Sequence, residues 1–176
     1  MKKECDYWEI PDKFASGAKN RKDKVMLSKT TEYALRSIVY IAMTDEEGKR
    51  VGIKEIANEL ELPAHFMGKI LQDMVRKGVI ASVKGPHGGF FLHRPASEIN
   101  LLEVVRIIDG LEAFKKCGMG MKHCSDKHPC PLHDEIKAYR DHLLKVFRDK
   151  TIQSLVDDVK TGKYFIKNQP EEVLKD

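Results

Sequence analysis

The strongest structural pattern in this sequence is Ile53-Lys-Glu-Ile-Ala-Asn-Glu-Leu-Glu-Leu-Pro-Ala-His-Phe-Met-Gly-Lys-Ile-Leu-Gln-Asp-Met-Val-Arg-Lys-Gly78. Its apolar residues recur at helical spacing, first in a short helix within residues 51–60 and again from about Ala64 to Lys77. Pro63 is placed to open the second helix, and Gly78 to end it. The apolar side predicted for that second helix consists of Phe66, Ile70, Leu71 and Met74. Two amphipathic helices joined by a short turn predict a helix-turn-helix.

The sequence on either side of this segment extends the prediction. Two short β-like runs, residues 79–83 and 90–92, flank Lys84-Gly-Pro-His-Gly-Gly89, and such dense turn residues between strands indicate a hairpin. Helices are expected before and after, at Lys29–Met43 and Leu101–Asp109. The predicted fold class is therefore mainly α with a small β hairpin, in the order of a winged helix-turn-helix.

Polar residues on the outer side of the predicted helix-turn-helix and hairpin indicate that this unit binds another molecule. A helix of this kind fits the major groove of double-stranded DNA, where residues near its amino-terminal end contact base edges. Glycines 85, 88 and 89 would let the hairpin backbone approach phosphate closely. The alternative is a packed helical domain with solvated Lys and Arg. The predicted DNA contacts are His65, Lys69, Gln72 and Arg76 on the helix, and Lys84, His87 and Arg94 at the hairpin, for the backbone or the minor groove.

Bulk composition limits the class of protein. The chain has 176 residues, a third of them charged, 41% hydrophobic residues and a net charge of +4, which is compatible with nucleic-acid binding. No apolar run of about 18 residues predicts a transmembrane helix, and the first residues lack the apolar centre of a signal peptide. We therefore expect a cytoplasmic protein without a membrane partner, in a compartment where clustered thiols serve metal or redox chemistry rather than disulfides.

Composition shifts divide the chain into five predicted parts. Apolar residues from Leu132 to about Val159 recur as in one long helix, and such a stripe needs a partner surface. A second copy of the same helix is the simplest partner, so we expect a homodimer. The parts are a loose extension (1–25), the winged helix-turn-helix (26–98), a connecting helix and cysteine-rich loop (99–131), the dimerisation helix (132–162) and a tail (163–176).

Three cysteines lie close together, at Cys117, Cys124 and Cys130, and His133 follows the last of them. Four ligands are usual for an iron–sulfur cluster or a tetrahedral zinc ion, and spacing alone does not separate the two. The fourth ligand would come from His133 or from the first helix of a partner subunit. A metal-free thiol switch and a group of inert cysteines are the remaining interpretations.

Several motifs in one order resemble the IscR/NsrR family of bacterial winged-helix regulators. They are Met26-Leu-Ser-Lys-Thr-Thr-Glu-Tyr-Ala-Leu-Arg36, Ile53-Lys-Glu-Ile-Ala57, Lys84-Gly-Pro-His-Gly-Gly-Phe90 and Leu101-Leu-Glu-Val-Val105, and the likeness covers roughly residues 26–160. The resemblance implies a transcriptional regulator whose three cysteines hold an iron–sulfur cluster, 2Fe-2S or 4Fe-4S, with redox state or nitric oxide as possible signals.

The resemblance also offers two fourth ligands. IscR-like members use a His three residues after the last Cys, which is His133 here. NsrR-like members use a carboxylate just before the Tyr of the first helix, which is Glu32 before Tyr33. This sequence therefore has the expected type of residue at both positions. The six residues between Cys117 and Cys124 depart from the five that the family more often has, so the resemblance does not fix the cluster type.

Two other functional classes compete with this interpretation. A thiol oxidoreductase or a metallohydrolase would need a recognisable catalytic motif, and the sequence has neither Cys-x-x-Cys nor His-Glu-x-x-His. A zinc-stabilised interaction module without DNA contact would use the same cysteines. We therefore expect a regulator rather than an enzyme.

Overall fold

The computed structural model describes residues 27–168 of the chain. The predicted extension (1–25), its Cys5 and the last residues of the predicted tail lie outside this range. Within it are six α-helices and one antiparallel pair of strands, so the predicted fold class is confirmed. The elements are α1 (Lys29–Glu46), α2 (Ile53–Glu59), α3 (Ala64–Arg76), β1 (Ile80–Val83), β2 (Gly89–Leu92), α4 (Leu101–Ile108), α5 (His133–Asp149) and α6 (Ile152–Lys160), with short 3-10 helices at Ala96–Glu98 and Glu112–Phe114.

The buried stripe of α3 fixes how the helix-turn-helix packs. Met67, Ile70, Leu71 and Met74 recur at the spacing of one helix face and are all buried. They pack in one core with the inner residues of α1, α2 and α4. The predicted burial of Phe66 is wrong, because its side chain is 54% exposed. The stripe begins at Met67 instead, and a one-residue shift turns a side chain by roughly 100° around a helix.

The predicted hairpin is present and pairs with Val51, in the segment before α2. β1 and β2 pair from Ile80 opposite Leu92 to Val83 opposite Gly89, and Phe90 exchanges backbone hydrogen bonds with Val51. A Cβ on Gly89 would stand 2.8 Å from the Val51 nitrogen, and one on Gly88 would stand 2.2 Å from the Val83 oxygen. These glycines are therefore required by the packing of the hairpin itself, whatever the hairpin contacts.

The carboxyl-terminal helical segment differs from its prediction. The single helix expected from Leu132 to Val159 is two helices, because the backbone is extended at Lys150 and Thr151 and α6 begins anew there. The Thr151 side chain accepts from the Ser154 amide, and the Ser154 hydroxyl oxygen accepts from the Thr151 amide, which is a capping box. The apolar periodicity continues across this cap, so spacing alone did not reveal it.

The break returns the chain to the winged helix-turn-helix. Ile152 and Val156 of α6 are fully buried in its core, and α6 packs against α1 and the first 3-10 helix. The backbone around the break is tied to the start of α4, since the Leu101 amide donates to Lys150 (3.0 Å) and the Ile152 amide donates to Ile99 (2.8 Å). In α5, by contrast, the only buried residues are His133 and Phe147, so α5 is a largely exposed helix. No helix in residues 27–168 has the length and apolar character needed to cross a membrane.

Candidate metal centre and nucleic-acid interface

The three cysteines predicted from the sequence meet in space. Their sulfur atoms all lie within 4.8 Å of one another, and the Cys117 and Cys130 sulfurs are 3.6 Å apart. They belong to the cysteine loop, residues 115–132, which joins the second 3-10 helix to α5. Cys130 is buried, Cys117 and Cys124 are half-buried, and none of the three forms a disulfide. The loop thus gathers three soft ligand atoms in one place.

Backbone amides favour the thiolate form of Cys117. Hydrogen bonds from the amides of Met121 and Met119 lower the pKa of the Cys117 thiol to about 7, and Cys130 adds to the effect. The pKa of the Cys124 thiol is shifted in the opposite direction. The Cys130 amide lowers this pKa, but desolvation and the neighbouring thiols of Cys130 and Cys117 outweigh the amide and raise it. Amide-to-sulfur hydrogen bonds also stabilise thiolates that ligate a metal.

His133 is oriented toward the cysteines by a carboxylate. Its ring is buried at the first residue of α5, with Nδ1 3.1 Å from the Cys124 sulfur and Nε2 2.8 Å from Oδ1 of Asp126. Lys137 donates to both oxygens of Asp126 at 2.7 and 2.8 Å. A metal-binding histidine commonly has this arrangement, with one nitrogen toward the ligand site and the other on a carboxylate.

The donor set fits a thiolate-bound metal or iron–sulfur group. Three sulfurs converge, amides stabilise the thiolate of one of them, and the buried imidazole presents one nitrogen to the same loop. Thiolate with imidazole is a set that suits zinc and iron–sulfur centres and disfavours calcium or magnesium. His133 approaches Cys124 but falls outside the tight group that the three sulfurs form. His133 as the fourth ligand therefore stays a prediction.

Glu32, the other predicted fourth ligand, lies elsewhere in the protomer. It is in the first turn of α1, and its Oε2 is 2.7 Å from the ammonium of Lys29. Among residues 27–168 it is not part of the group of possible metal ligands around the cysteines. A role for Glu32 therefore requires that it reach the cysteine loop of a second subunit.

Most of the predicted DNA contacts are exposed, on α3 and at the hairpin turn. His65, Lys69 and Gln72 are exposed on α3, and Arg76 at its end forms an ion pair with Asp73. Lys84 and His87 are exposed at the hairpin turn. A polar cleft beside His87 is also lined by Lys49 and Arg50, which were not among the predicted contacts. Because these two basic residues lie directly before α2, the sequence could have indicated them as DNA contacts.

Arg94 is bound within the protein. Its guanidinium forms an ion pair with Glu103 of α4 and donates to the Glu98 carbonyl at 2.8 Å. These contacts fix the end of the hairpin to α4. Arg94 stays a predicted DNA contact, although binding DNA would compete with Glu103 for its guanidinium.

Two further hydrogen-bonded links, one before the cysteine loop and one to the loop itself, were not predicted. Asp109, at the end of α4, accepts from the amide (2.8 Å) and the hydroxyl (2.6 Å) of Ser28, the residue that caps α1. Arg140 of α5 donates to the Lys116 carbonyl of the loop at 2.7 Å. The capping role of Ser28 is readable from its position before a helical run, but its pairing with Asp109 depends on the tertiary fold.

Comparisons with a family model and with individual proteins agree on one family. Residues 27–158 match the family model Rrf2, described as an iron-dependent transcriptional regulator. An HTH-type transcriptional regulator of Aquifex aeolicus (strain VF5) is 27% identical over 135 residues, which are 76% of this chain and 92% of that protein. NsrR, an HTH-type transcriptional regulator of Oceanobacillus iheyensis, is 28% identical over 134 residues, or 74% of this chain and 88% of NsrR.

Solved structures show the same fold. IscR of T. potens superposes with a TM-score of 0.63 at 15% identity and covers 85% of this chain and 97% of its own. CymR (YrzC), the global cysteine regulator of B. subtilis, gives a TM-score of 0.62 at 18% identity and covers 74% of this chain and 95% of its own. The winged-helix architecture expected from the sequence is therefore shared with both.

Proposed function

The chain belongs to the Rrf2 family of transcriptional regulators, and we propose that it is a homodimeric regulator whose affinity for promoter DNA depends on an iron–sulfur cluster. Cys117, Cys124 and Cys130 would hold that cluster, either 2Fe-2S or 4Fe-4S. The observation that carries the proposal is the convergence of the three sulfurs within 4.8 Å, in a loop between the winged helix-turn-helix and the exposed helix α5. A transcriptional regulator acts on the chromosome, so we place it in the cytoplasm.

The proposed DNA surface consists of the outer side of α3 and the hairpin turn. The exposed residues of α3 would enter the major groove, while Lys84 and His87 of the hairpin would contact phosphate or the minor groove. Lys49 and Arg50 beside His87 would add phosphate contacts. Since such contacts release counterions, binding should weaken steeply as the salt concentration rises.

The proposed dimer contact is the exposed apolar side of α5. Leu132, Tyr139 and Val146 are exposed and seven residues apart, with the half-buried Ile136 and Leu143 between them. This alternation of three and four residues is the pattern by which two helices pair. A second copy of α5 would cover these side chains and place two winged helix-turn-helix units side by side.

The segments before and after the cysteine loop would connect the candidate metal site to both functional parts. Before the loop, Asp109 at the end of α4 accepts hydrogen bonds from Ser28, the residue that caps α1. After the loop, His133 is the first residue of α5, and Arg140 of α5 donates to the Lys116 carbonyl. An iron–sulfur cluster, when bound, would supply redox and nitric-oxide reactivity. The residues around it would pass a change in loop packing to the spacing of the two winged units.

Zinc and a metal-free thiol switch are the alternative uses of the same cysteines. The donor set does not separate zinc from iron–sulfur. The thiol switch is favoured by one observation, the low pKa of Cys117, about 7, beside the Cys130 sulfur at 3.6 Å. In that case DNA affinity would follow the oxidation state of the thiols in protein that contains no metal.

Anaerobic purification followed by metal, sulfide and DNA-binding measurements tests the proposal. We expect iron and sulfide in near-equal amounts in the wild type and in Cys5→Ser, and loss of both in Cys130→Ala. Gel shifts at one salt concentration should then give different DNA affinities for the loaded and the apo protein. Zinc alone, metal-free protein with strong DNA binding, or equal affinity of loaded and apo forms would contradict the proposed cluster control.

A further inference from the structure

Phe66 is an apolar side chain on a surface where its neighbours are polar. It is the third residue of α3 and is 54% exposed, although the apolar residues Met67, Ile70, Leu71 and Met74 of the same helix are buried. His65, before it, and Lys69, one turn later, are exposed with it. The packing of the winged unit therefore does not account for a phenylalanine at this position.

The location of Phe66 limits what it can contact. Residues in the first turns of such a helix are those that reach base edges in the major groove. The base edges there present hydrogen-bond donors and acceptors and one apolar group, the C5 methyl of thymine. Phenylalanine has no hydrogen-bonding group, so the thymine methyl is its chemical complement among the four base pairs.

We propose that Phe66 is a specificity-determining residue that selects thymine at one position in each half of the DNA site. The proposal rests on the proposed function, since it requires α3 to enter the major groove. Burial of the ring against the methyl would remove apolar surface of both partners from water. Selection would thus combine this contact with hydrogen bonds from the polar residues of α3.

The aromatic pair of His65 and Phe66 makes this contact well defined. The two ring centroids are 4.1 Å apart, with planes tilted by 42°. The two rings are therefore already in contact before DNA binds. The imidazole has polar atoms for the neighbouring base edges or phosphates, while the phenyl ring covers the apolar group.

A test replaces thymine by deoxyuridine, which removes only the methyl group. Duplexes selected from a randomised pool by the wild-type protein would supply the site, and each thymine would be replaced in turn. At one thymine in each half-site we expect about a fourfold loss of wild-type affinity, the value for one buried carbon group. Phe66→Ala should bind the thymine and deoxyuridine duplexes equally, and Phe66→Leu should retain part of the difference.

Control measurements separate the possible failures. Lys69→Ala should weaken binding to both duplexes by the same factor and keep the deoxyuridine penalty. Unchanged thermal unfolding of Phe66→Ala would show that the exposed ring does not stabilise the fold. No deoxyuridine penalty at any position, or the same penalty in wild type and Phe66→Ala, would overturn the thymine contact. A wild-type protein that selects no duplex at all would instead overturn the proposed function.

Discussion

His133 is a predicted fourth ligand of the candidate metal centre, and its ring is held beside the cysteines. One ring nitrogen faces the Cys124 sulfur, and the other is held by Asp126, which Lys137 holds in turn. The contact with the carboxylate fixes the orientation of the ring, with Nδ1 toward the cysteines. Asp126 itself has a lowered pKa, because Lys137 and His133 donate to it, so it keeps its charge at neutral pH.

Separate alanine substitutions distinguish the two predicted fourth ligands. If His133 is the ligand, His133→Ala should lose bound iron or zinc, while Glu32→Ala should retain it. Removal of the supporting contact in Asp126→Asn should lower metal affinity by about 10- to 100-fold. Asp134→Asn, at the next exposed position of α5, is the matched control and should have no effect. Metal loss in Glu32→Ala alone would assign the fourth ligand to a partner subunit.

Glu46 predicts a pH dependence of stability. It accepts from Gln153 and Lys160, which lowers its pKa below the usual 4.5 and joins α1 to α6. A lowered pKa in the folded state means that the contact stabilises the protein above the usual glutamate pKa, and that this stabilisation is lost as the pH falls through the lowered value. The pair is partly exposed, so its contribution is about 0.2–1 kcal/mol.

Urea unfolding of Glu46→Gln at several pH values checks this contribution. At pH 7 we expect the wild type to be more stable than Glu46→Gln by about 0.2–1 kcal/mol. This difference in stability should shrink toward zero below about pH 4. Glu47→Gln is the matched control, because Glu47 pairs with Lys49 in the same turn and joins no second element. A difference between wild type and Glu46→Gln that stays constant from pH 7 to pH 3 would contradict the assignment.

Among the elements, the cysteine loop depends on close packing against α5. A Cβ on Gly118 would stand 2.7 Å from Cγ1 and 3.1 Å from Cδ1 of Ile136, which is closer than side chains tolerate. The Ile136 side chain, the loop or α5 would have to move. Since the sulfurs and His133 lie on the loop and on α5, a displacement of either element would spread the candidate ligands apart.

Gly118→Ala should therefore reduce metal retention and lower stability by about 1–3 kcal/mol, as overpacking usually does. Removal of the obstructing side chain in the double variant Gly118→Ala/Ile136→Ala should restore part of the retained metal. Gly52→Ala adds its methyl group to open space and serves as the control. Equal metal content in wild type and Gly118→Ala would show that the loop adapts without cost.

Local pattern predicted the elements whose signals are contained in a few residues. The stripe of α3 and the glycine-rich turn are of this kind, and both are present. Phe66 was assigned to the wrong side because Phe66 and Ile70 have the same four-residue spacing as Met67 and Leu71. Only packing against the other helices decides between the two. The break at Thr151 was missed because the apolar periodicity continues across it, although Thr and Ser favour the starts of helices over their interiors.

In the candidate metal site, the convergence of the cysteines was predictable from the sequence, but the contacts that surround them were not. The three cysteines and His133 are close in the chain, so their meeting in space followed from loop closure over a short segment. Asp126 could not be assigned to His133 from spacing, and the pairing of Ser28 with Asp109 spans most of the winged unit and α4. Such contacts arise from the tertiary fold and leave no periodic signal in the sequence.

At the scale of the whole molecule, the apolar side of α5 sets the expected assembly. Val146→Glu would place a charge where two copies of α5 are expected to meet, and burial of an unpaired charge is costly. We expect the dimer to dissociate at least about tenfold more readily in sedimentation experiments, with thermal unfolding little changed. Lys145→Glu changes the charge at the adjacent exposed position and should leave the dimer intact. A dimer that is unaffected by Val146→Glu would exclude this side of α5 as the contact.

The packing of α6 into the core of the winged helix-turn-helix affects when this protein can fold during translation. The winged unit lies early in the chain, yet its core includes Ile152 and Val156 near the end. Domains generally begin to fold as they leave the ribosome, amino-terminal part first. Here the emerging winged unit lacks one face of its core until translation has passed α6. An incomplete polypeptide released before that point would be a poor competitor for operator DNA, so premature termination would remove a regulator rather than create a permanently active fragment.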